Sequence, residues 1–166
     1  PPLLTLRLFS TLPAEPPKVY MSAFGPKALD LAARIADGFI STMPEAEHVE
    51  TFRKQGGGDK PAQGGFKACY APTEAEAVDI AHRLWGTSGV PGELAQVLPT
   101  PQHFEQAGQL VPKDATAKAH ACGPDPARQR ELLDKYEQAG FDEVYVANIG
   151  PNYRELIDLY GRELLN

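Results

Sequence analysis

The sequence predicts an α/β fold made of parallel strand–helix repeats, and three observations carry that prediction. The stretch PKVYMSAFGPKALDLAARIADGFIST, at 17–42, holds a strand, a loop, a helix and the start of a second strand, which is one βαβ unit. Its order of strand, Gly-Pro and helix returns near the end of the chain as EVYVANIGPNYRELIDLYGRELL. Strand-like segments near 18–23, 39–42, 65–71 and 143–148 are each followed by a helical pattern rather than by a hairpin turn. Strands joined through helices in so few residues run parallel with a right-handed crossover, and ligands of such folds collect at the strand carboxyl ends.

Taken in order, residues 1–16 read as a lead-in arm rather than a natural beginning, with no initiator methionine; LTLRLFSTLP has the character of a hairpin tail or extended segment, and AEPP leads into the first strand. That strand stops at Phe24-Gly25-Pro26. Gly25 is expected to allow an unusual backbone there, and Pro26 suits a first helical turn. Ala28, Leu29, Leu31, Ala32 and Ile35 fall at the helical period, and Gly38 is expected as a left-handed cap. Phe39 opens the second strand. Pro44 opens a helix running to about 54, with Val49 and Phe52 inward, ended by Gly56-Gly57-Gly58. Those glycines lack the GxxxxGK(S/T) pattern of a nucleotide loop and read as a flexible turn.

The third strand is placed at 65–71. Thr73-Glu74-Ala75-Glu76 has the form of a capping box, and the helix behind it carries Ala77, Ile80, Ala81, Leu84 and Trp85 on one face. His82 on that helix reads as a surface or partly packed residue. From 87 to 114 the periodicity weakens into a proline-punctuated insertion with two short helices, around 92–97 and 101–107. So long an irregular segment serves either as a lid over a binding site or as an excursion that packs on a neighbouring subunit. Residues 115–123 fit a helical turn and a short strand equally. A helix over 124–139 with Leu132, Leu133 and Tyr136 inward, a Gly140 cap, the strand at 143–148 and a helix over 152–165 complete the chain.

The composition narrows the function. With 166 residues and 42% hydrophobic content the chain makes one domain, 1–166, with a real core. A net charge of −6 without a basic cluster argues against nucleic acid or an anionic membrane as partner. There is no run of about 18 apolar residues and no signal-peptide pattern, so a cytoplasmic location is expected. Cys69 and Cys122 lack any metal-ligand spacing and read as two buried thiols. No GxSxG or HExxH occurs, and His48, His82, His103 and His120 have no partners at ligand spacing, so neither a catalytic residue nor a metal is assigned. The amides around Phe24 to Lys27 open a helix, and with Ser22 and Lys27 they form an anion site.

PKVYMSAFGPKALDLAARIADGFIST, GGFKACYAPTEAEAVDIAHRLW, GELAQVLPTPQHFEQA and CGPDPARQRELLDKYEQAGFDEVYVANIGP, in that order and spacing, resemble the carboxyl-terminal half of the luciferase-like oxidoreductases, in the branch that uses the deazaflavin coenzyme F420. The resemblance runs from about Thr5 onward. It implies half of a (β/α)8 TIM barrel, strands five to eight, with an insertion before the last strand. It also implies that Ser22, Ala23, Phe24, Gly25, Lys27 and Ala28 meet the ribityl and phosphate part of the cofactor, and that Thr42 touches substrate. The sugar-phosphate enzymes of that branch clamp a phosphate with basic residues at places that correspond here to Glu45, Gln106 and Lys118, so glucose 6-phosphate is not expected as substrate. The family's catalytic histidine and glutamate come from the first half, which has no counterpart in these residues.

The resulting expectation is the cofactor-binding half of an F420-dependent enzyme that moves a hydride to or from an organic substrate, inactive alone and completed by the missing amino-terminal half or by a second copy. The alternatives are an FMN-dependent luciferase-like monooxygenase, a non-catalytic α/β assembly subunit, and an open flavodoxin-type sheet binding a small phosphate-bearing ligand.

Overall fold

The computed structural model describes residues 13–165; residues 1–12 of the expected lead-in arm lie outside them. Five strands form one parallel sheet. β1 (Tyr20–Ser22) pairs with β2 (Gly38–Ser41), β2 pairs with β3 (Ala62–Cys69), and β3 pairs with both β4 (Ala121–Cys122) and β5 (Glu143–Asn148). Successive β3 carbonyls point to opposite edges. Those of Ala62 and Ala68 accept from the amides of Asp142 and Ile149, and those of Pro61 and Cys69 from the amides of Phe39 and Gly123, all at 2.9 Å. β5 therefore follows one edge of β3, while β2 takes the beginning of the other edge and β4 its end. Among the described residues no strand neighbours this edge of β3 between β2 and β4.

The helices follow the predicted grammar. They are α1 (Pro26–Ile35), α2 (Ala46–Phe52), α3 (Glu74–Trp85), α4 (Leu94–Val97), α5 (Pro101–Gln109), α6 (Lys113–Ala119), α7 (Pro126–Gln138) and α8 (Tyr153–Glu163). The Thr73 hydroxyl accepts from the Glu76 amide at 3.2 Å and starts α3, as the capping box predicts. Asp125 does the same for α7 by accepting from the Ala127 amide at 2.9 Å. Gly140 ends α7 with φ +84, the left-handed conformation expected of a glycine cap.

The main core lies under β1, β2, β3 and β5 and joins α1, α2, α7 and α8. Phe39 is fully buried between the Phe52 ring at 5.3 Å and the Phe141 ring at 6.1 Å, and Tyr136 sits 5.3 Å from Phe141 and 5.9 Å from Phe66. Each such aromatic contributes roughly 2–3 kcal/mol by burial alone. The helices meet this layer through small residues: α1 buries Leu29, Ala32 and Ala33, and α3 buries Ala77 and Ala81. A second cluster joins Cys69, Ala71, Ala77, Ala81, Cys122 and Ile149.

Several expectations need correction. Leu31, Ile35, Leu84 and Trp85 are exposed, because α1 turns Leu29, Ala32 and Ala33 inward and α3 turns Ala77 and Ala81 inward. β3 begins at Ala62 rather than 65, with Gly64 and Gly65 inside it. A Cβ at Gly64 would run into the Tyr136 ring, and one at Gly65 into the Tyr145 ring, so these glycines make room for aromatics. Gly38 is likewise no cap: it lies within β2, beneath Tyr20. The helix expected from 44 to 54 is α2, followed by a wide turn in which Gly56 and Gly58 have positive φ. Residues 115–123 contain both alternatives, the last part of α6 and then β4.

Candidate functional site

β1 and β2 are parallel and in register from Tyr20↔Gly38 to Ser22↔Ile40, so the residues that leave them emerge at the same end. Ser22, Phe24 and Lys27 are exposed there, Ala28 is half-buried, and the Ala23 side chain is in the core, which leaves Ala23 only its backbone to offer a ligand. Gly25 precedes α1 with φ −141 and ψ 161, an extended backbone open to any residue, and a Cβ built there would meet nothing within 4 Å. Neither strain nor crowding demands glycine at this position, contrary to the expectation of an unusual backbone. What glycine supplies is bare backbone in front of a helix start. No side chain caps α1, its first turn holds no acidic residue, and Pro26 has no amide. The amides of Lys27 and Ala28 therefore point outward at the positive end of the helix dipole, beside the Lys27 ammonium. That combination fits a phosphate or carboxylate.

A cavity of about 450 Å³ opens where β2 and β4 part. Thr42, just past β2, lies in its wall together with Pro44, Gly65, Phe66 and Lys67 of β3, Trp85 and Ser88, His120 before β4, and Tyr136, Tyr145 and Ala147. The loop 22–28 does not line it; it stands one strand away at the same end of the sheet. Tyr136 holds the parting open: its hydroxyl lies 2.7 Å from the Gly65 carbonyl and 2.9 Å from the Thr42 carbonyl and donates between them. Burial pushes the Tyr136 phenol up to about 12, so it remains a donor.

Two groups in this wall were not assigned from the sequence. Lys67 sits with its Nζ 5.0 Å from the centre of the Trp85 ring and forms no ion pair with a carboxylate among the described residues. Its signal was present: a lone lysine inside the otherwise apolar run GGFKACYA. His120 is buried, and its Nε2 has no hydrogen-bond partner. Burial first, and the Lys67 charge second, hold the imidazole below its ordinary pKa. Arg128 fixes the segment that carries His120, donating to the carbonyls of Ala117, Lys118 and His120 at 3.2, 2.8 and 3.4 Å.

The insertion is tied to α3 by His82, whose Nε2 is 2.7 Å from the Val111 carbonyl, and it reaches the cavity through Ser88. A larger cleft of about 570 Å³, between the end of α3 and α5, has no strand residue in its wall. Glu45, Gln106 and Lys118 do not line the strand-end cavity; Lys118 pairs instead with Asp114 at 3.6 Å on the surface. Cys69 and Cys122 are buried, as expected, and are partners across β3 and β4 despite their distance in sequence. Among the described residues no group of three His, Cys, Asp or Glu could hold a metal, and no helix is long and apolar enough to cross a membrane.

A family model described as luciferase-like monooxygenase matches residues 3–143. The F420-dependent glucose-6-phosphate dehydrogenase of Beutenbergia cavernae is 26% identical over 165 residues, covering 92% of this chain and 49% of that protein. Among solved structures, an F420-dependent secondary alcohol dehydrogenase in complex with an F420-acetone adduct aligns with a TM-score of 0.74 at 21% identity, over 91% of this chain and 49% of that one. The coenzyme F420-dependent tetrahydromethanopterin reductase of Methanopyrus kandleri aligns with a TM-score of 0.63 at 22% identity, over 88% and 49%. The chain spans about half the length of the curated relatives it matches. The structural likenesses establish the fold, parallel strands alternating with helices as in about half of a barrel-type luciferase-like chain.

Proposed function

This chain belongs to the luciferase-like monooxygenase family, and from that membership we propose that it is the cofactor-binding half of a coenzyme F420-dependent oxidoreductase, acting in the cytoplasm, that transfers a hydride to or from an organic substrate. The observation that carries this reading is the uncapped start of α1, where Gly25 leaves open space before the amides of Lys27 and Ala28. The F420-dependent relatives support the choice of cofactor.

Ser22, Ala23, Phe24, Gly25, Lys27 and Ala28 hold the anionic tail of the deazaflavin: the amides and the Lys27 charge bind it, and Ser22 offers a hydroxyl. When bound, the deazaflavin supplies the hydride donor or acceptor. Thr42 and the adjoining cavity hold the substrate, and the insertion, 87–114, limits water at that end. FMN is the second reading, favoured by the family's description as monooxygenases.

The sheet supports completion by a second body. Among the described residues β1 pairs only with β2, and β5 only with β3, so each presents an outer edge of unpaired amides and carbonyls. Ile35 of α1 and Ile157 of α8 are 68% and 65% exposed. The missing amino-terminal half, or a second copy of the chain, covers them, and the acid and base come with that half, so this chain alone is inactive.

Absorbance and fluorescence titration of the assembled protein with F420, and separately with FMN, tests the cofactor. Saturable binding of F420 at micromolar concentration is expected. Binding of FMN alone would transfer the protein to the monooxygenase reading, and binding of neither would overturn both.

A further inference from the structure

We infer that the cavity between β2 and β4 binds a small hydroxycarboxylate, its carboxylate on Lys67 and its hydroxyl on His120. The inference deepens the proposed function by naming a substrate class for the same end of the sheet, and it rests on that reading only in taking the ligand as substrate.

The cation comes first. Lys67 projects from the middle of β3, half-buried, with an aromatic ring rather than a carboxylate as its partner. A partly buried ammonium without a counter-ion stands ready to pair with an anion, and a charge-assisted hydrogen bond there is stronger than one in water. A single ammonium with no arginine in the wall suits one negative charge. A phosphate dianion is ordinarily held by an arginine fork or a helix start, and this cavity has neither in its wall.

His120 supplies the second contact. Buried polar atoms are nearly always hydrogen-bonded, so a buried ring nitrogen without a partner calls for an explanation. A neutral imidazole nitrogen either donates or accepts, and a hydroxyl can do both, so a ligand hydroxyl on Nε2 completes the histidine as the carboxylate completes the lysine. Phe66, Trp85, Leu132 and Tyr145 add an apolar, aromatic surface beside Thr42 and Ser88, and about 450 Å³ lies within the range of small-molecule sites.

The test is isothermal titration of the full chain, without cofactor, with mandelate, phenylacetate, 1-phenylethanol and inorganic phosphate. Mandelate should bind most tightly, with phenylacetate about two- to tenfold weaker for want of the hydroxyl. Lys67→Met should weaken both acids about tenfold or more and leave 1-phenylethanol unchanged. His120→Phe should abolish the preference for mandelate over phenylacetate. Mandelate should also shift the His120 ring resonances of the unaltered chain, a readout that needs no variant to fold. No acid bound at millimolar concentration, phosphate bound more tightly than mandelate, or mandelate affinity indifferent to Lys67→Met would overturn the inference. None of these results touches the binding of F420, which is titrated separately.

Discussion

Replacing Tyr136 by Phe removes one hydroxyl from the point where β2 leaves β3. The ring stays, with its contacts to Phe66 at 5.9 Å and Phe141 at 5.3 Å and its place over Gly64. What is lost is the donor between the carbonyls of Gly65 and Thr42, at 2.7 and 2.9 Å. A buried carbonyl left unpaired costs about 1–3 kcal/mol. The Gly65 carbonyl is the one at risk, because among the described residues no strand lies against that edge of β3 between β2 and β4. In urea, with a slope of about 2 kcal/mol/M for a chain of this size, a loss of about 2 kcal/mol lowers the midpoint by about 1 M and leaves the slope unchanged. Tyr136→Ala should cost about 3–5 kcal/mol, since the aromatic layer then loses its central ring. Gly64→Ala drives a methyl group into the Tyr136 ring and should cost about 1–3 kcal/mol by overpacking; in the Tyr136→Ala background that cost should vanish. A Tyr136→Phe midpoint within about 0.2 M of the parent, or strict additivity of Gly64→Ala and Tyr136→Ala, would refute this account of the parting.

Gly25→Val should leave the urea midpoint unchanged, since the backbone is extended and the space is open, yet weaken F420 binding tenfold or more in a fluorescence titration. Gly140→Ala meets no close neighbour but forces a side chain to φ +84, and should cost about 1 kcal/mol in the same urea assay. Burial pushes the Cys122 thiol up to about 12 and raises that of Cys69, so both should resist a thiol reagent at pH 8 until urea unfolds the chain. The same shift sets a pH dependence. The folded state holds the Cys122 proton more tightly than the unfolded state does, so its contribution to stability is complete below pH 9 and is lost as pH rises from 9 toward about 12. Thermal melts across that interval should fall more steeply for the parent than for Cys122→Ala.

The elements set by local chemistry could be read from the sequence. Thr73 starts α3 and Gly140 ends α7 as their residue types dictate, and the βα order at both ends of the chain is found in the structure. What the sequence hid was set by partners far along the chain. Gly38 read as a helix cap, Gly65 as the start of a strand and Gly64 as nothing in particular, but each makes room for a tyrosine from another element. Tyr136 looked like one more apolar position of a helix, and its hydroxyl holds the mouth of the cavity. The strand-end loop with Ser22, Gly25 and Lys27 was visible as a helix start after a strand. The cavity was only partly visible: Thr42 follows from the end of β2, while Lys67 and His120 come together through the pairing of β3 with β4, to which a two-residue strand gives no periodic signal.

The central claim, that these residues are one half of an F420-dependent enzyme, is tested most directly by a hydride-transfer assay that follows deazaflavin absorbance with the purified chain, before and after adding an amino-terminal half of the family in trans. Positioned proton transfer is worth about 10² to 10⁴ in rate, and the five strands of the described residues cannot close a barrel of eight. No turnover is expected from the chain alone, and turnover once the other half is present; turnover by the chain alone would overturn the half-enzyme reading.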